Sequence, residues 1–405
     1  MKYYRNKKLS DTVYDFIIVG SGVGGSTLFK ELNKKYPDKK ILLLEKGNNK
    51  INYNNLGKTI QVLYITSLGG SALGAVGNAI KINLKKIGIK DGSIYEEIER
   101  ELNVKKVPEG HINEKSKYLF NYGFERTPKF MDFEGCNACG LCARKVCQYK
   151  WTPVMFLTNP NPYSKILSNF HVSSLAENGS FFTVEGYDLL MGKKRIFKGE
   201  KVIVCGGGIN SPRILSNILD NEHLGRNLFV DTFITVGGVL NNSHLDRSIP
   251  MALYKVYDGF LLSPHYSILL YNKVKGDNTN KYDDKNICSK DIYGIMIKIR
   301  DENKGIVGGN KIYKELTKKD EKLLSKGIKR ASDILYDMGL ERIYKTIPRG
   351  SHPGGTCAMG KVVDKNFETE IEGLYVCDSS IFPETVGLPP ILGIIAMGKK
   401  LANIL

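Results

Sequence analysis

The chain has 405 residues, 42% of them hydrophobic, and carries 59 lysines and arginines against 42 aspartates and glutamates, a formal net charge of +17. That composition supports a large buried core and, by length, two or three domains. No stretch of about 20 uninterrupted apolar residues occurs, so no membrane span is expected, and the lysines are spread along the chain without a nucleic-acid motif, which reads as a solvated basic surface. The first hydrophobic run follows Lys2, Arg5, Lys7 and Lys8 as in a signal peptide, but Asp15 interrupts it and no small-residue cleavage site precedes residue 20. We therefore expect the first strand of a cytoplasmic fold there.

An apolar run at 16–19 predicts that strand, and Gly20-Ser21-Gly22-Val23-Gly24-Gly25 follows it, opening a helical pattern over 26–35. Strand, tight turn and helix are the context in which a G-x-G-x-x-G sequence binds a dinucleotide. Gly20, Gly22 and Gly25 remove Cβ atoms that would block the turn, the pyrophosphate and the packing of helix on sheet, while the helix N-terminus offers free N–H groups to phosphate. A second apolar strand at 41–44 delivers Glu45, twenty residues after Gly25. A carboxylate there can hold both ribose hydroxyls of an adenosine and opposes a 2′-phosphate, which leaves FAD or NAD and disfavours NADP.

Gly69-Gly70-Ser71 stands in a small-residue segment at 68–73. Residues 136–147 then hold half of the eight cysteines, spaced Cys136-x2-Cys139-x2-Cys142-x4-Cys147. This places three thiolates around one loop, as bacterial ferredoxins do for a [4Fe-4S] cluster, with Cys147 available as the fourth ligand. Arg144, Lys145 and Lys150 are expected to lower the thiol pKa values. A structural zinc site, a disulfide cluster and four free thiols stay open beside the cluster. Cys205, Cys288, Cys357 and Cys377 stand singly and read as buried small residues.

A strand at 202–205 runs into Gly206-Gly207-Gly208-Ile209-Asn210-Ser211-Pro212, which reads as a helix started by Ser-Pro, and Leu-Gly-Arg-Asn-Leu follows at 224–228. Between 237 and 344 we expect strand-like runs at 260–262 and 266–271, a polar loop at 275–285 and a helix over 319–338. The last part carries His352-Pro353-Gly354-Gly355-Thr356, then Asp378 within Leu-Tyr-Val-Cys-Asp-Ser-Ser-Ile-Phe-Pro at 374–383, then Gly387-Leu388-Pro389-Pro390. His352 is the candidate acid–base group, since an imidazole titrating near neutrality can take a proton or give one. His111, His171, His223, His244 and His265 have no such context and default to structure.

In this order, residues 20–25, 68–73, 202–215, 224–228, 352–360 and 374–383 resemble the motifs of the glucose-methanol-choline (GMC) oxidoreductases, a family of FAD enzymes. The likeness runs from one end of the chain to the other, with gaps. It implies an α/β fold: a discontinuous FAD-binding Rossmann-like domain (1–95, 160–236 and 345–405), a cysteine-rich cluster segment (96–159) and an inserted α+β substrate domain (237–344). It implies FAD held by Gly20, Gly22, Gly25, Glu45, Gly69, Gly70, Ser71, Gly207, Asp378 and Pro389, without a covalent link because neither His nor Cys occurs from 69 to 80. It further implies that His352 faces the flavin and exchanges a proton with the hydroxyl of an alcohol. Some members are similar in carrying Cys-x2-Cys-Gly-x-Cys in this part of the chain, with a fourth cysteine one residue sooner than Cys147 and followed by proline.

The second polar residue of the family, Asn or His before a proline, falls at Leu388, and Gly74 stands where many relatives keep Asn. A residue from the inserted domain, such as Tyr254 or His265, would have to orient a substrate oxygen instead. The expectation is an FAD-dependent dehydrogenase or reductase, not an oxidase. It would move hydride between flavin and an apolar alcohol, carbonyl or alkene, and a [4Fe-4S] cluster would trade electrons with a ferredoxin-like carrier. The alternative is a non-catalytic electron-transfer or redox-sensing flavoprotein.

Overall fold

The computed structural model describes residues 12–89, 92–144, 146–277 and 287–405. The basic residues 2, 5, 7 and 8, Lys145 of the cysteine segment and positions 278–285 of the polar loop lie outside the described residues.

The apolar run at 16–19 forms the inner part of the strand Val13–Val19, whose last four residues are all buried. A strand apolar on both faces needs cover on both, the signature of a parallel sheet. It pairs in parallel with Ile41–Leu44 on one side and with Lys193–Val204 on the other, and Leu374–Val376 adds a further parallel strand to Lys193–Val204. Lys165–Leu167 closes the sheet beyond Ile41–Leu44, and Phe181–Asp188 and Phe170–Asn178 extend it as an antiparallel meander. Val19 sits opposite Leu44 and Val204, and Val204 opposite Val376. Gly20, Glu45, Cys205 and Cys377 therefore leave the sheet at one edge, the carboxyl edge where open α/β sheets bind ligands.

The helix Val23–Lys35 packs on this sheet, and Ile391–Ile404 packs on that helix. Gly398 permits their close approach, since a Cβ there would stand 2.8 Å from Thr27 Cβ. Among the described residues no helix is long and apolar enough to cross a membrane.

A second, mostly antiparallel sheet centres on Phe233–Val239 and Ile292–Ile299. It continues through Phe260–Pro264 and Leu253–Tyr257 to Glu125–Arg126, and on the other side through Arg349–Gly350 to the hairpin of Gln61–Thr66 and Asn52–Leu56. All eight residues of Ile292–Ile299 are buried. Ile295, Ile297 and Ile299 pack with Leu324, Ala331, Ile334 and Leu335 of the helix Lys318–Asp337. Met296 and Lys298 share the opposite face with Phe233, which lies across from Lys298. The expected helix at 319–338 thus appears one residue earlier, capped by Thr317, whose hydroxyl accepts from Asp320 N while the Asp320 carboxylate accepts from Thr317 N.

Two local expectations are corrected. Residues 266–271 do not form a strand: Ser267 caps the helix Ile268–Lys275, its hydroxyl accepting from Leu270 N, and Leu270 and Val274, four apart, turn inward. A short apolar run cannot by itself distinguish the two periods. The second helix is not started by Ser-Pro, because Gly207–Leu215 begins five residues before Pro212. Pro212 has no N–H to give to the Gly208 carbonyl, and the Thr356 hydroxyl donates to that oxygen instead, at 2.8 Å.

Candidate functional site

One cavity of about 880 Å³ runs from the carboxyl edge of the first sheet to the Phe233 and Lys298 face of the second. At its first end the glycines divide the work. A Cβ on Gly20, whose φ is +109°, would stand 2.3 Å from Cys205 O, and one on Gly25 would stand 1.9 Å from Gly20 O. A Cβ on Gly22 or Gly207 would meet nothing within 4 Å, and both residues line the cavity. Gly24 was not singled out from the sequence, yet a Cβ there would lie 1.8 Å from Cys377 O.

Glu45 is 7% exposed and lines the cavity. Its Oε2 accepts from Ser21 N at 2.9 Å and Ser21 Oγ at 2.6 Å, and its Oε1 accepts from Gly47 N at 2.6 Å. Ser21 Oγ in turn accepts from Gly69 N at 2.9 Å, which ties the small-residue segment to the fingerprint. Gly70 and Ser71 line the cavity, and Gly25 and Gly69 are absent from its wall. Asp378 lines it too; its Oδ2 accepts from Gly207 N at 2.8 Å and Ser211 Oγ at 2.5 Å. Arg213 adds a group the sequence reading missed. It lines the cavity, and its buried Nε and one buried terminal nitrogen have no hydrogen-bond partner among the described residues. A helix N-terminus, two glycines open to the cavity, unpartnered guanidinium donors and a fixed carboxylate together suit an adenine dinucleotide with its pyrophosphate.

At the second end, Arg349–Gly350 lies between Gln61–Thr66 and Phe233–Val239 and delivers His352 to the cavity wall. His352 Nδ1 lies 2.9 Å from Asp231 Oδ2 and 3.0 Å from Lys298 Nζ. Asp231 is fully buried, and its Oδ1 accepts from Thr385 Oγ1 at 2.8 Å and Gly387 N at 3.1 Å. Burial and the neighbouring Lys298 charge push the His352 pKa down, and Asp231 opposes them without prevailing. Burial alone would raise the Asp231 carboxyl, but the His352 hydrogen bond and the Lys298 charge pull it below its ordinary value. Burial lowers Lys298 to about 8 against Asp231 and Asp301.

His265, expected to be structural unless it replaces a polar residue missing at position 388, stands in the cavity wall. Its Nδ1 lies 2.8 Å from Thr235 Oγ1, and burial, Arg349 and Lys298 lower its pKa to about 4. Tyr254 does not line the cavity. Leu388 packs against the cluster of Ile80, Phe233, Met251, Leu261 and Met296, while Pro389 and Pro390 reach the cavity.

The cysteine segment is bolted to the cavity by two buried lysines. Lys129 Nζ donates to Val76 O and Pro250 O, each at 2.9 Å, and to Asn78 Oδ1. Lys150 Nζ donates to Leu73 O at 2.9 Å, Cys142 O at 3.0 Å and Ala75 O. The expectation of lowered thiol pKa values is corrected: burial raises Cys136 and Cys142, and Lys129 and Lys150 offset only part of that. Lys129, missed in the sequence, is one of the nearby charges; Lys145 lies outside the described residues. Among the described residues, no three His, Cys, Asp or Glu side chains stand close enough to hold a single metal ion. Cys205, Cys357 and Cys377 are buried as expected, but Cys288 is exposed.

Residues 309–398 match the family model described as GMC oxidoreductase. The chain is 47% identical over 388 residues to an uncharacterized protein of Methanocaldococcus jannaschii, covering 96% of this chain and 98% of that one. It is 24% identical to a long-chain-alcohol oxidase of Arabidopsis thaliana over 269 residues, 50% of this chain and 35% of the plant protein. Among solved structures, pyridoxine 4-oxidase from Mesorbium loti superposes with a TM-score of 0.72 at 13% identity, over 96% of this chain and 99% of the other. A formate oxidase variant from Aspergillus oryzae RIB40 gives 0.73 at 13% identity, over 98% of both chains.

Proposed function

We propose that the chain is a GMC-type oxidoreductase, as the family match over residues 309–398 supports, and that it is an FAD-dependent dehydrogenase or reductase acting on an apolar alcohol, carbonyl or alkene. The observation that carries this reading is the meeting of three distant segments, at 20–24, 205–210 and 351–353, on one cavity. Gly20, Gly22, Glu45, Gly70, Ser71, Gly207, Asp378 and Pro389 in its wall would hold the FAD, with Gly25 and Gly69 packed behind them. FAD, when bound, supplies the acceptor and donor of hydride. His352 takes the hydroxyl proton as an alcohol becomes a carbonyl, or returns it in the other direction. His265, in the wall of the same cavity, would orient that oxygen. Phe233, Met251 and Met296 form an apolar wall beside these two imidazoles, which favours a hydrocarbon substituent over a sugar.

The spacing of Cys136, Cys139, Cys142 and Cys147 suits a [4Fe-4S] cluster that would exchange electrons with a ferredoxin-like carrier, whereas the placement of the thiols opposes it, since among the described residues no three of them stand close enough to hold one metal ion. The ammonium groups of Lys129 and Lys150 near the thiols favour the cluster. Anaerobic isolation tests both cofactors. Acid precipitation is expected to release FAD into the supernatant, and iron analysis to give about four atoms per chain. FMN, or no flavin, would overturn the central reading; one zinc and no iron would overturn the cluster and leave the flavin reading standing. With decanol as the reductant in anaerobic mixing, H352A is expected to slow flavin bleaching by about 10² to 10⁴ at unchanged FAD content. An unchanged rate would favour the electron-transfer alternative.

A further inference from the structure

Two side chains of opposite charge meet His352 at the same ring nitrogen. Asp231 Oδ2 is 2.9 Å and Lys298 Nζ 3.0 Å from Nδ1. A ring nitrogen bears either a proton or a lone pair, so it cannot serve a carboxylate and an ammonium at once. If Nδ1 bears the proton, it donates to Asp231 and Nε2 is left with a lone pair. If the Lys298 ammonium donates to Nδ1, the proton of the neutral ring sits on Nε2. His352 keeps 22% of its side chain accessible and lines the cavity, and no described residue bonds to Nε2.

We propose that Asp231 and Lys298 are positioning residues that select the tautomer of His352. Asp231 exposes an Nε2 lone pair that accepts a hydroxyl proton, and Lys298 exposes an Nε2–H that donates one to a carbonyl oxygen. The balance between them sets whether the site is poised for oxidation or for reduction. This rests on the reading of His352 as the proton-transfer group.

The fold holds both partners in place at some cost. Asp231 has φ +50°, a left-handed conformation that a side chain other than glycine seldom adopts, and two hydrogen bonds to its other oxygen fix it there. Lys298 is the one charged residue of an eight-residue buried strand. Its ammonium has His352 Nδ1 as its sole side-chain hydrogen-bond partner and forms no ion pair among the described residues, because the nearby Asp301 is bonded to Lys314 at 2.8 Å. With Lys298 lowered to about 8, its ammonium is the main form at neutrality and can donate to Nδ1, and loss of its proton at higher pH leaves the choice of tautomer to Asp231. The other charged or titratable groups nearby are Asp301, and Arg349 and His265 across the sheet.

The test is 15N-histidine NMR of the FAD-loaded full chain, with the ring of residue 352 assigned from its loss in H352Q. D231N is expected to put the proton on Nε2 and K298M to put it on Nδ1. The ring's titration midpoint is expected to fall in D231N and rise in K298M, each by about 1 pH unit or more. The same tautomer in both variants, or shifts of the same sign, would overturn the proposal; a purely structural role would not split them in opposite directions. If D231N does not fold, K298M against wild type decides alone, since an unchanged or lowered midpoint there refutes the role of Lys298. The measurement needs no turnover, so an active H352A would defeat the proposed function without touching this result.

Discussion

The two ends of the cavity hold buried charge by different means. At the nucleotide end, the Glu45 and Asp378 carboxylates are fixed by backbone N–H groups and serine hydroxyls, with no cation bonded to either among the described residues. At the end that carries His352, Asp231, Lys298, His352 and Asp301 balance one another through groups that themselves titrate, and Lys314 is bonded to Asp301. Backbone N–H groups do not change with pH, so the donors that hold the first end are fixed. The second end is responsive, because each proton gained or lost alters its neighbours.

The largest expected effect comes from breaking the pair that anchors the second end. Lys314 and Asp301 are 1% and 0% exposed, and D301N leaves an ammonium buried without its counter-ion, at a cost of about 3–5 kcal/mol in denaturant unfolding. A smaller loss would mean that water reaches Lys314. The next concerns acid. His265 has a folded pKa of about 4 against an ordinary value of 6.5, so the unfolded chain binds the proton first and stability falls as the pH drops from 6.5 through 4. H265Q should remove up to about 3 kcal/mol of that fall, read by comparing unfolding free energies at both ends of the window. An identical slope in wild type and variant would place the acid sensitivity elsewhere.

The nucleotide end should respond more weakly and without pH dependence. E45A is expected to weaken FAD binding by about 1–3 kcal/mol, measured by flavin titration of the apoprotein, with the same loss at pH 6 and pH 8. A loss that varied with pH would erase the distinction between the two ends. The smallest effect is at the helix that Pro212 interrupts. T356V removes the donor to Gly208 O and should cost about 1 kcal/mol in thermal unfolding, whereas T356S should cost less. A loss in T356S as large as that in T356V would mean that packing of the methyl group counts for as much as the hydroxyl's hydrogen bond.

Much of the nucleotide end was legible in the chain, because its requirements are local: a turn that tolerates no Cβ at Gly20, an open approach at Gly22, and a carboxylate directly after an apolar strand at Glu45. Even there Gly24 and Arg213 escaped notice, since the first is constrained by Cys377 O from the far end of the chain and the second by the cavity it enters. His352 was legible as a motif, but its neighbours were not. Two signals were present: Lys298 is the lone charge in the apolar run at 292–299, and Lys129 stands between Pro128 and Phe130 just ahead of the cysteines. A lone lysine in a strand pattern says that something polar must meet it inside, without saying what.

By itself, then, the sequence determined the apolar strands that end at one edge and the glycines of the tight turn after the first of them, because each depends on residues close together in the chain. Tertiary structure alone decided that Asp231 and Lys298 share one nitrogen of His352, that His265 enters the cavity while Tyr254 does not, and that Lys150 ties the cysteine loop at Cys142 O to Leu73 O and Ala75 O. Those contacts join residues 54 to 121 positions apart for His352 and its partners, and their distances follow from how two sheets face each other, which no local pattern encodes.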